Sequence, residues 1–141
     1  MRIRDARAED AGAIARLLDQ LGYPSSTEAA ARRVRELTSS EADRLLVSEV
    51  DGEVVGFAGV HVSLAVEYDE PAAKLSAIAV DEAHRRRGVG EALVEAAVHE
   101  ARTRGCGLIF LTTAERRADA HAFYAALGFE LTGRRYARTL G

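Results

Sequence analysis

The chain has 141 residues, of which 48% are hydrophobic and 29% charged, a composition typical of one globular domain spanning residues 1–141. Its single cysteine, Cys106, excludes an internal disulfide and with it a secreted disulfide scaffold. No apolar run approaches the ~20 residues that cross a bilayer, and no apolar signal core follows the N-terminal charges. We therefore expect a cytoplasmic protein with no membrane partner.

The formal charge of −3 is distributed unevenly along the chain. Residues 1–84 hold 16 acidic and 9 basic side chains, a net −7, whereas residues 85–141 hold 6 and 10, a net +4. This asymmetry suggests ligands of opposite sign. No basic-aromatic stripe is present, so we expect no nucleic-acid partner. Of the 19 basic residues 18 are arginine, which we interpret as the coding bias of a GC-rich bacterial genome.

Two helices are predicted near the N-terminus, after a short strand over residues 3–7. Asp10 caps the first helix, whose leucines and isoleucine recur at helical spacing. Ser25, with Glu28 three residues later, resembles a capping box for the second helix, which ends near Leu37.

Strands and helices then alternate. Residues 45–50 and 53–66 predict two strands of a hairpin, because Asp51-Gly52 between them is a strong turn signal. Residues 74–80 predict another strand. The later elements are a helix over 89–104, an apolar strand over 108–111 that we expect to be buried on both faces, a helix over 118–127 and one or two strands within 129–140.

The most informative stretch is the loop that joins strand 74–80 to the following helix. It contains three arginines and two glycines, and it ends where the helix begins. Glycines let the backbone approach an anion closely, the N–H groups of the first helical turn point outward, and arginines add permanent charge. A pyrophosphate fits this pattern best. The loop has neither the lysine of a P-loop nor the third glycine of a Rossmann fingerprint, and the alternative is a solvated turn.

Two motifs together resemble one family. Arg85-x-x-Gly88-x-Gly90 looks like the acyl-CoA loop of the GNAT N-acetyltransferase superfamily, and Ala120 to Phe129, with Phe123-Tyr124 and Gly128-Phe129, resembles a second segment of that family. The resemblance covers essentially the whole chain. It implies an α/β fold whose mixed, mostly antiparallel central sheet is flanked by about four helices, with a splayed parallel strand pair at the acyl-CoA site.

The resemblance also implies roles for individual residues. The backbone of Ile78, Ala79 and Val80 would pair with the pantetheine arm of acetyl-CoA, as an added strand does. The loop and first helical turn would hold the pyrophosphate, and the positions concerned are Arg85, Arg86, Arg87, Gly88, Val89, Gly90 and Glu91. The charge of Glu91 is a mild mismatch to phosphate.

Tyr124 is the implied catalytic acid, because in the family this tyrosine lies near the acyl-CoA sulfur and protonates the leaving thiolate. A phenol with a pKa of about 10 can donate to a thiolate whose conjugate acid has a pKa of about 8.5. The alternative is a core tyrosine on the apolar helix face. Many relatives carry Asn seven residues earlier, where this chain has Arg117; His121 or Thr113 could supply the polar contact instead.

An acidic segment precedes the strand that would meet the donor. Glu67, Asp69 and Glu70 would attract a cationic amine, and Glu67 is our first candidate for the general base that deprotonates it. His61 is the second candidate, and for each residue the alternative is a solvated or structural role. The histidines are scattered, so no metal site is expected, and a nucleophilic role for Cys106 is disfavoured.

The predicted activity is direct transfer of the acetyl group of acetyl-CoA to an amine, either a small molecule or a peptide or protein amino group. A non-catalytic acyl-CoA-binding sensor or interaction module is the alternative. The predicted partners are acetyl-CoA and the amine acceptor. Members of the family are often homodimers, so the resemblance allows a homodimer, but the sequence does not determine the oligomeric state.

Overall fold

The computed structural model describes residues 1–113 and 118–141 of the chain. Its five strands form one sheet in the order β1-β2-β3-β4-β5, in which β4 and β5 are parallel and the other neighbours are antiparallel. This arrangement, with four α-helices, confirms the predicted fold class. The elements are β1 (Arg2–Asp5), α1 (Ala11–Leu21), α2 (Thr27–Thr38), β2 (Asp43–Val50), β3 (Glu53–Ser63), β4 (Ala72–Val80), α3 (Val89–Thr103), β5 (Leu108–Phe110) and α4 (Ala118–Ala126).

The sheet is covered on both faces. On one face, Leu17 of α1 and Val34 of α2 pack with Val47 and Phe57 of the sheet. On the other, α3 buries Leu93, Val94 and Ala97 against β3 and β4, and α4 adds partly buried side chains to the same cluster. Alternate strand residues point to opposite faces, so one valine-rich strand such as β3 serves both cores.

The β2–β3 hairpin is confirmed at the predicted turn. Asp51 and Gly52 both adopt left-handed backbone conformations, with φ of 51° and 80°, as a two-residue hairpin turn with right-handed strand twist requires. β3 ends at Ser63, short of the predicted residue 66, because the ladder with β4 ends at the Ser63–Ala72 pair. Residues 64–71 connect the two strands.

Helix starts differ from prediction by small but chemically meaningful shifts. Ser26, and not Ser25, caps α2, because its Oγ accepts a hydrogen bond of 3.0 Å from the Ala29 N–H. The carboxylate of Asp10 does not cap α1. It accepts from the Arg7 N–H and from Arg4, so it closes a short 3₁₀ turn and pairs with a cation.

The C-terminal part of the chain corrects two expectations. Residues 129–141 contain no strand, so the predicted final strands are not formed. β5 therefore pairs with β4 alone within the described ranges, and Leu108 and Phe110 are 45% and 40% exposed. The prediction that β5 is buried on both faces was wrong, since an apolar strand is covered only where neighbouring elements reach it.

Candidate active site

The pair β4–β5 opens along its length. Hydrogen-bonded pairing joins Ala72–Lys74 to Leu108–Phe110, and β4 then continues to Val80 without a parallel partner in the described ranges. The register with β3 shifts between Gly59 and Val60, which leaves Ser76 as an extra, bulged residue at the point where the strands separate. From there to Val80 the β5-facing backbone edge of β4 is accessible for pairing with an extended ligand.

The predicted pantetheine-facing residues lie on this open part of β4. Ala79 is buried against the α1 side of the sheet, whereas Ile78 and Val80 pack against the α3 side. Their side chains thus anchor the strand to the cores on both faces of the sheet. The backbone N–H and C=O groups are the polar groups that these residues offer along the open edge.

The loop after β4 contains two residues in left-handed backbone conformations. Arg86 and Gly88 both have left-handed backbone conformations, with φ of 63° and 81°, and Arg86 is one of two non-glycine residues with positive φ in the described chain. These two residues turn the chain just before the N-terminus of α3, where free N–H groups and the helix dipole favour a bound anion. Gly88 is the N-cap of α3 and has no side chain to satisfy the first-turn N–H groups. Val89 is buried, whereas Glu91 is exposed.

The three loop arginines differ in their present contacts. Arg85, Arg86 and Arg87 are all exposed. Arg85 Nε donates a hydrogen bond of 3.2 Å to the Val80 carbonyl, which folds this guanidinium back over the end of β4. The loop thus carries three exposed positive charges beside a helix N-terminus, an arrangement that favours an anion.

Helix α4 lies directly against this loop. A Cβ on Gly90 would come within 3.2 Å of Phe123 Cζ, so only glycine permits this approach without displacing the ring. Tyr124 is half-buried, and its ring makes edge contacts with Phe123 and Phe129 at centroid distances of 5.1 and 5.8 Å. The structure therefore brings the predicted anion loop and the helix that carries Tyr124 together.

A contact that the sequence did not reveal fixes the start of the loop. Gln20, in the last turn of α1, donates from Nε2 to Asp81 Oδ1 at 2.8 Å and accepts at Oε1 from the Glu82 N–H at 3.0 Å. His84 Nδ1 lies 2.9 Å from Asp81 Oδ2. The hydrogen bond from Gln20, followed by that with His84, holds the pKa of the Asp81 carboxyl below its usual value. Sixty-one positions separate Gln20 from Asp81, and no local pattern signals such a pair.

The acidic segment lies at the opposite end of β4 from the anion loop. At ~3.3 Å per residue, the nine residues of β4 separate the two by about 26 Å. Glu70 packs over the turn before β5, where its Oε2 is 3.2 Å from the position of a Cβ on Gly107. Glu67 is exposed in the turn after β3, and no hydrogen bond or ion pair joins it to another described residue.

Clefts border the site without centring on Tyr124. A cleft of about 220 Å³ is lined by Tyr68, Glu70, Pro71, Gly107 and Leu108, at the acidic end of β4. A wider one of about 410 Å³ lies between α1 and the β2–β3 turn, and Asp81 forms part of its wall. The first adjoins the acidic segment, which makes it the better candidate for an acceptor entrance.

The other candidate side chains have structural surroundings. His61 Nδ1 lies 2.8 Å from Asp43 Oδ1, on the β2 side of β3 and away from β5. Burial raises the pKa of the Cys106 thiol, which disfavours a reactive thiolate. Among residues 1–113 and 118–141, no group of three or more metal-binding side chains is found. Over the same residues no helix is long and apolar enough to span a bilayer.

Comparison with known proteins decides the family. The sequence profile of the Acetyltransferase (GNAT) family matches residues 12–129. The chain belongs to the GNAT acetyltransferase family. This confirms the relationship that the paired motifs predicted.

Several relatives of this GNAT protein align with most of its length. The aminoglycoside N(6')-acetyltransferase type 1 of Stenotrophomonas maltophilia is 32% identical over 136 residues, which are 94% of this chain and 88% of that protein. A transcriptional regulator from Bacillus halodurans superposes with a TM-score of 0.91 at 26% identity, covering 99% of each chain. An aminoglycoside N-acetyltransferase in complex with CoA superposes at 0.86 with 23% identity, over 99% of this chain and 93% of its own, and shares the fold. Two other curated N-acetyltransferases are longer, and the chain spans about two fifths of their length.

One departure from the GNAT pattern stays open. Arg117, which stands where many relatives carry Asn, lies outside the described residues. His121 and Thr113 are both partly buried, on α4 and after β5 respectively. A polar contact from one of them to the pantetheine arm stays a prediction.

Proposed function

We propose that this GNAT protein is an N-acetyltransferase that moves the acetyl group of acetyl-CoA directly to an amine. The observation that carries the proposal is the opening of β4 from β5 after Lys74, because the open edge leads straight to a loop with left-handed Arg86 and Gly88. An extended, anion-terminated ligand matches both features at once.

The donor would lie along β4 and end at α3. The backbone of Ile78, Ala79 and Val80 pairs with the pantetheine arm in this proposal. The pyrophosphate accepts hydrogen bonds from the N–H groups of the loop and first helical turn, with charge from the three arginines. The positions that hold it are Arg85, Arg86, Arg87, Gly88, Val89, Gly90 and Glu91, the last through its backbone.

Tyr124 is proposed as the acid. The amine nitrogen forms a bond to the acetyl carbon and loses a proton to the general base, while the carbon–sulfur bond breaks and the sulfur takes a proton from the phenol. Solvent then returns a proton to the phenolate and accepts the proton held by the base. The products are the N-acetylated amine and the CoA thiol. The position of Tyr124 beside Phe123, which contacts the anion loop at Gly90, supports this role.

The matched pair Tyr124→Phe and Tyr23→Phe tests that role, because Tyr23 is exposed and lies at the end of α1. We expect Tyr124→Phe to lower kcat by about 10²-fold, the scale of general acid catalysis, while the Kd for acetyl-CoA changes little. Tyr23→Phe should match the wild type. Release of free thiol with a panel of amines and peptides measures turnover. An unchanged kcat in Tyr124→Phe would remove the tyrosine from the chemistry.

Glu67 is proposed as the general base, in an acidic segment that attracts a cationic acceptor. Glu67→Gln should lower kcat by about 10²-fold, whereas Asp69→Asn in the same exposed segment should lower it far less. Steady-state kinetics with the best acceptor distinguishes the two. Equal, small effects of both substitutions would assign Glu67 to a solvated turn and leave the base elsewhere.

The whole proposal has a direct test. Acetyl-CoA should protect the wild-type protein against thermal unfolding, and at least one primary amine should be acetylated. If acetyl-CoA gives no protection and no amine is acetylated, the proposal is wrong. Protection without turnover of any acceptor would favour the second candidate, an acyl-CoA-binding sensor, which the likeness to the Bacillus halodurans transcriptional regulator supports.

A further inference from the structure

We infer that Gln20 is a positioning residue for donor binding: its side-chain amide ties α1 to the start of the phosphate-binding loop and so orders that loop before the ligand arrives. This inference rests on the proposed function. It concerns a residue of α1 that lies outside both GNAT motifs and that the sequence did not single out.

The two hydrogen bonds of Gln20 reach two different groups of the loop. The amide nitrogen donates to the Asp81 carboxylate, and the amide oxygen accepts from the Glu82 backbone. A single planar amide therefore fixes both the side chain and the main chain at the point where β4 ends. In the described part of the chain no other side chain of α1 makes a hydrogen bond to residues 81–88.

Asp81 passes this constraint further along the loop. Its second carboxylate oxygen is bonded to His84 Nδ1, its N–H donates to the Val55 carbonyl, and its carbonyl accepts from the His84 N–H. Residues 81–84 are thus anchored to α1, to β3 and to one another. The exposed residues that follow, Arg85–Gly88, begin from a fixed point.

Anchoring matters because ordering a loop costs free energy. Fixing the backbone of a residue costs conformational entropy, and a ligand that must order its own loop loses that free energy from its affinity. Gln20 would therefore strengthen binding of the phosphate end of the donor without touching it. The acetyl-transfer step itself should not depend on Gln20.

The experiment compares Gln20→Ala with Asp19→Ala, an exposed neighbour in the same turn of α1. Calorimetry should show that Gln20→Ala raises the Kd for CoA about five- to tenfold, consistent with loss of hydrogen bonds to a charged group and a main-chain N–H. With the best acceptor, the KM for acetyl-CoA should rise similarly while kcat stays within about twofold. Acetyl-pantetheine, which lacks the pyrophosphate, should keep its kcat/KM. Asp19→Ala should leave every value unchanged.

A polarity swap separates positioning from general destabilisation. Gln20→Glu places a carboxylate against Asp81 and should weaken CoA binding at least as much as Gln20→Ala. Adding Asp81→Asn lets the new amide donate to Glu at position 20, whose other oxygen can still accept from Glu82, so binding should recover.

The outcomes are distinct. Unchanged CoA binding in Gln20→Ala, a parallel loss with acetyl-pantetheine, or no recovery in the swap would overturn the positioning role while the wild type still binds CoA. Failure of the wild type itself to bind CoA would overturn the proposed function and this inference together.

Discussion

Asp10 is a buried charged side chain, and three N–H donors satisfy it. Arg4 binds both of its oxygens, at 2.8 and 2.9 Å, and the Arg7 N–H binds one of them at 2.8 Å. Arg4 also reaches Glu49. The hydrogen bonds from Arg4, more than any other contact, keep the pKa of Asp10 below its ordinary value. This cluster joins β1, the 3₁₀ turn before α1, and β2.

Replacement of Asp10 by Asn should destabilise the protein by about 2–3 kcal/mol at pH 7, because Arg4 loses a charged partner in a buried place. Glu9→Gln, at an exposed neighbouring position, should change stability by less than about 0.5 kcal/mol. Urea unfolding measures both. Similar losses in the two variants would mean that the Arg4–Asp10 pair contributes no specific stability.

The same pair predicts a pH dependence. A carboxyl with a lower pKa in the folded than in the unfolded protein stabilises fully above its unfolded pKa, here near 3.8. That contribution is lost as the pH falls through the folded pKa. The stability difference between wild type and Asp10→Asn should therefore shrink progressively below about pH 4.

At the N-terminus of α2, the backbone conformation of Ser26 determines that its hydroxyl, and not that of Ser25, caps the helix. Ser26 is extended, with φ −68° and ψ 157°, and its side chain bonds the Ala29 N–H. Ser25 uses its hydroxyl differently, donating to the Tyr23 carbonyl and accepting from Arg33.

Ser26→Ala should cost about 1 kcal/mol of unfolding free energy, the usual value of an N-cap. Ser25→Ala removes exposed hydrogen bonds only and should cost less than about 0.5 kcal/mol. Thermal or urea unfolding of the two variants makes the comparison. A larger loss for Ser25→Ala would return the capping role to the residue that the Glu28 spacing had indicated.

Some structural features could be predicted from the sequence because they depend on residues close together in the chain. The turn at Asp51-Gly52, the apolar spacing of α3 and the glycines at the start of that helix each act on near neighbours, and the structure agrees with them. The cap shifted from Ser25 to Ser26 because two adjacent serines offer the same chemistry, and only backbone geometry chooses between them.

Contacts between residues far apart in the sequence could not be predicted. Gln20 meets Asp81 through tertiary packing, and the exposure of Phe110 depends on whether a further strand covers β5. The proposed acid, Tyr124, could be named from its motif, whereas the base could not, because the acidic segment contains three carboxylates and no local pattern ranks them.

The molecule as a whole separates its charges along one strand. The basic loop follows the C-terminal end of β4, and the acidic segment precedes its N-terminal end. Charges of opposite sign thus lie at the two ends of β4, which agrees with the anionic donor and the cationic acceptor of the proposed function.

The opening of β4 from β5 should also affect the rate of amide hydrogen exchange in β4. Strands β1 and β3 flank β2, whereas β4 beyond Lys74 is bonded on its β3 side only within the described residues. About every second amide proton from Leu75 to Val80 should therefore exchange with deuterated water quickly, although the strand lies inside the sheet. Acetyl-CoA should slow exchange in that peptide and leave β2 unchanged. Equal slowing of exchange in β2 and β4 would indicate a general stabilisation of the fold. The exchange rate of β4, compared with that of β2, therefore reports whether the donor binds along β4.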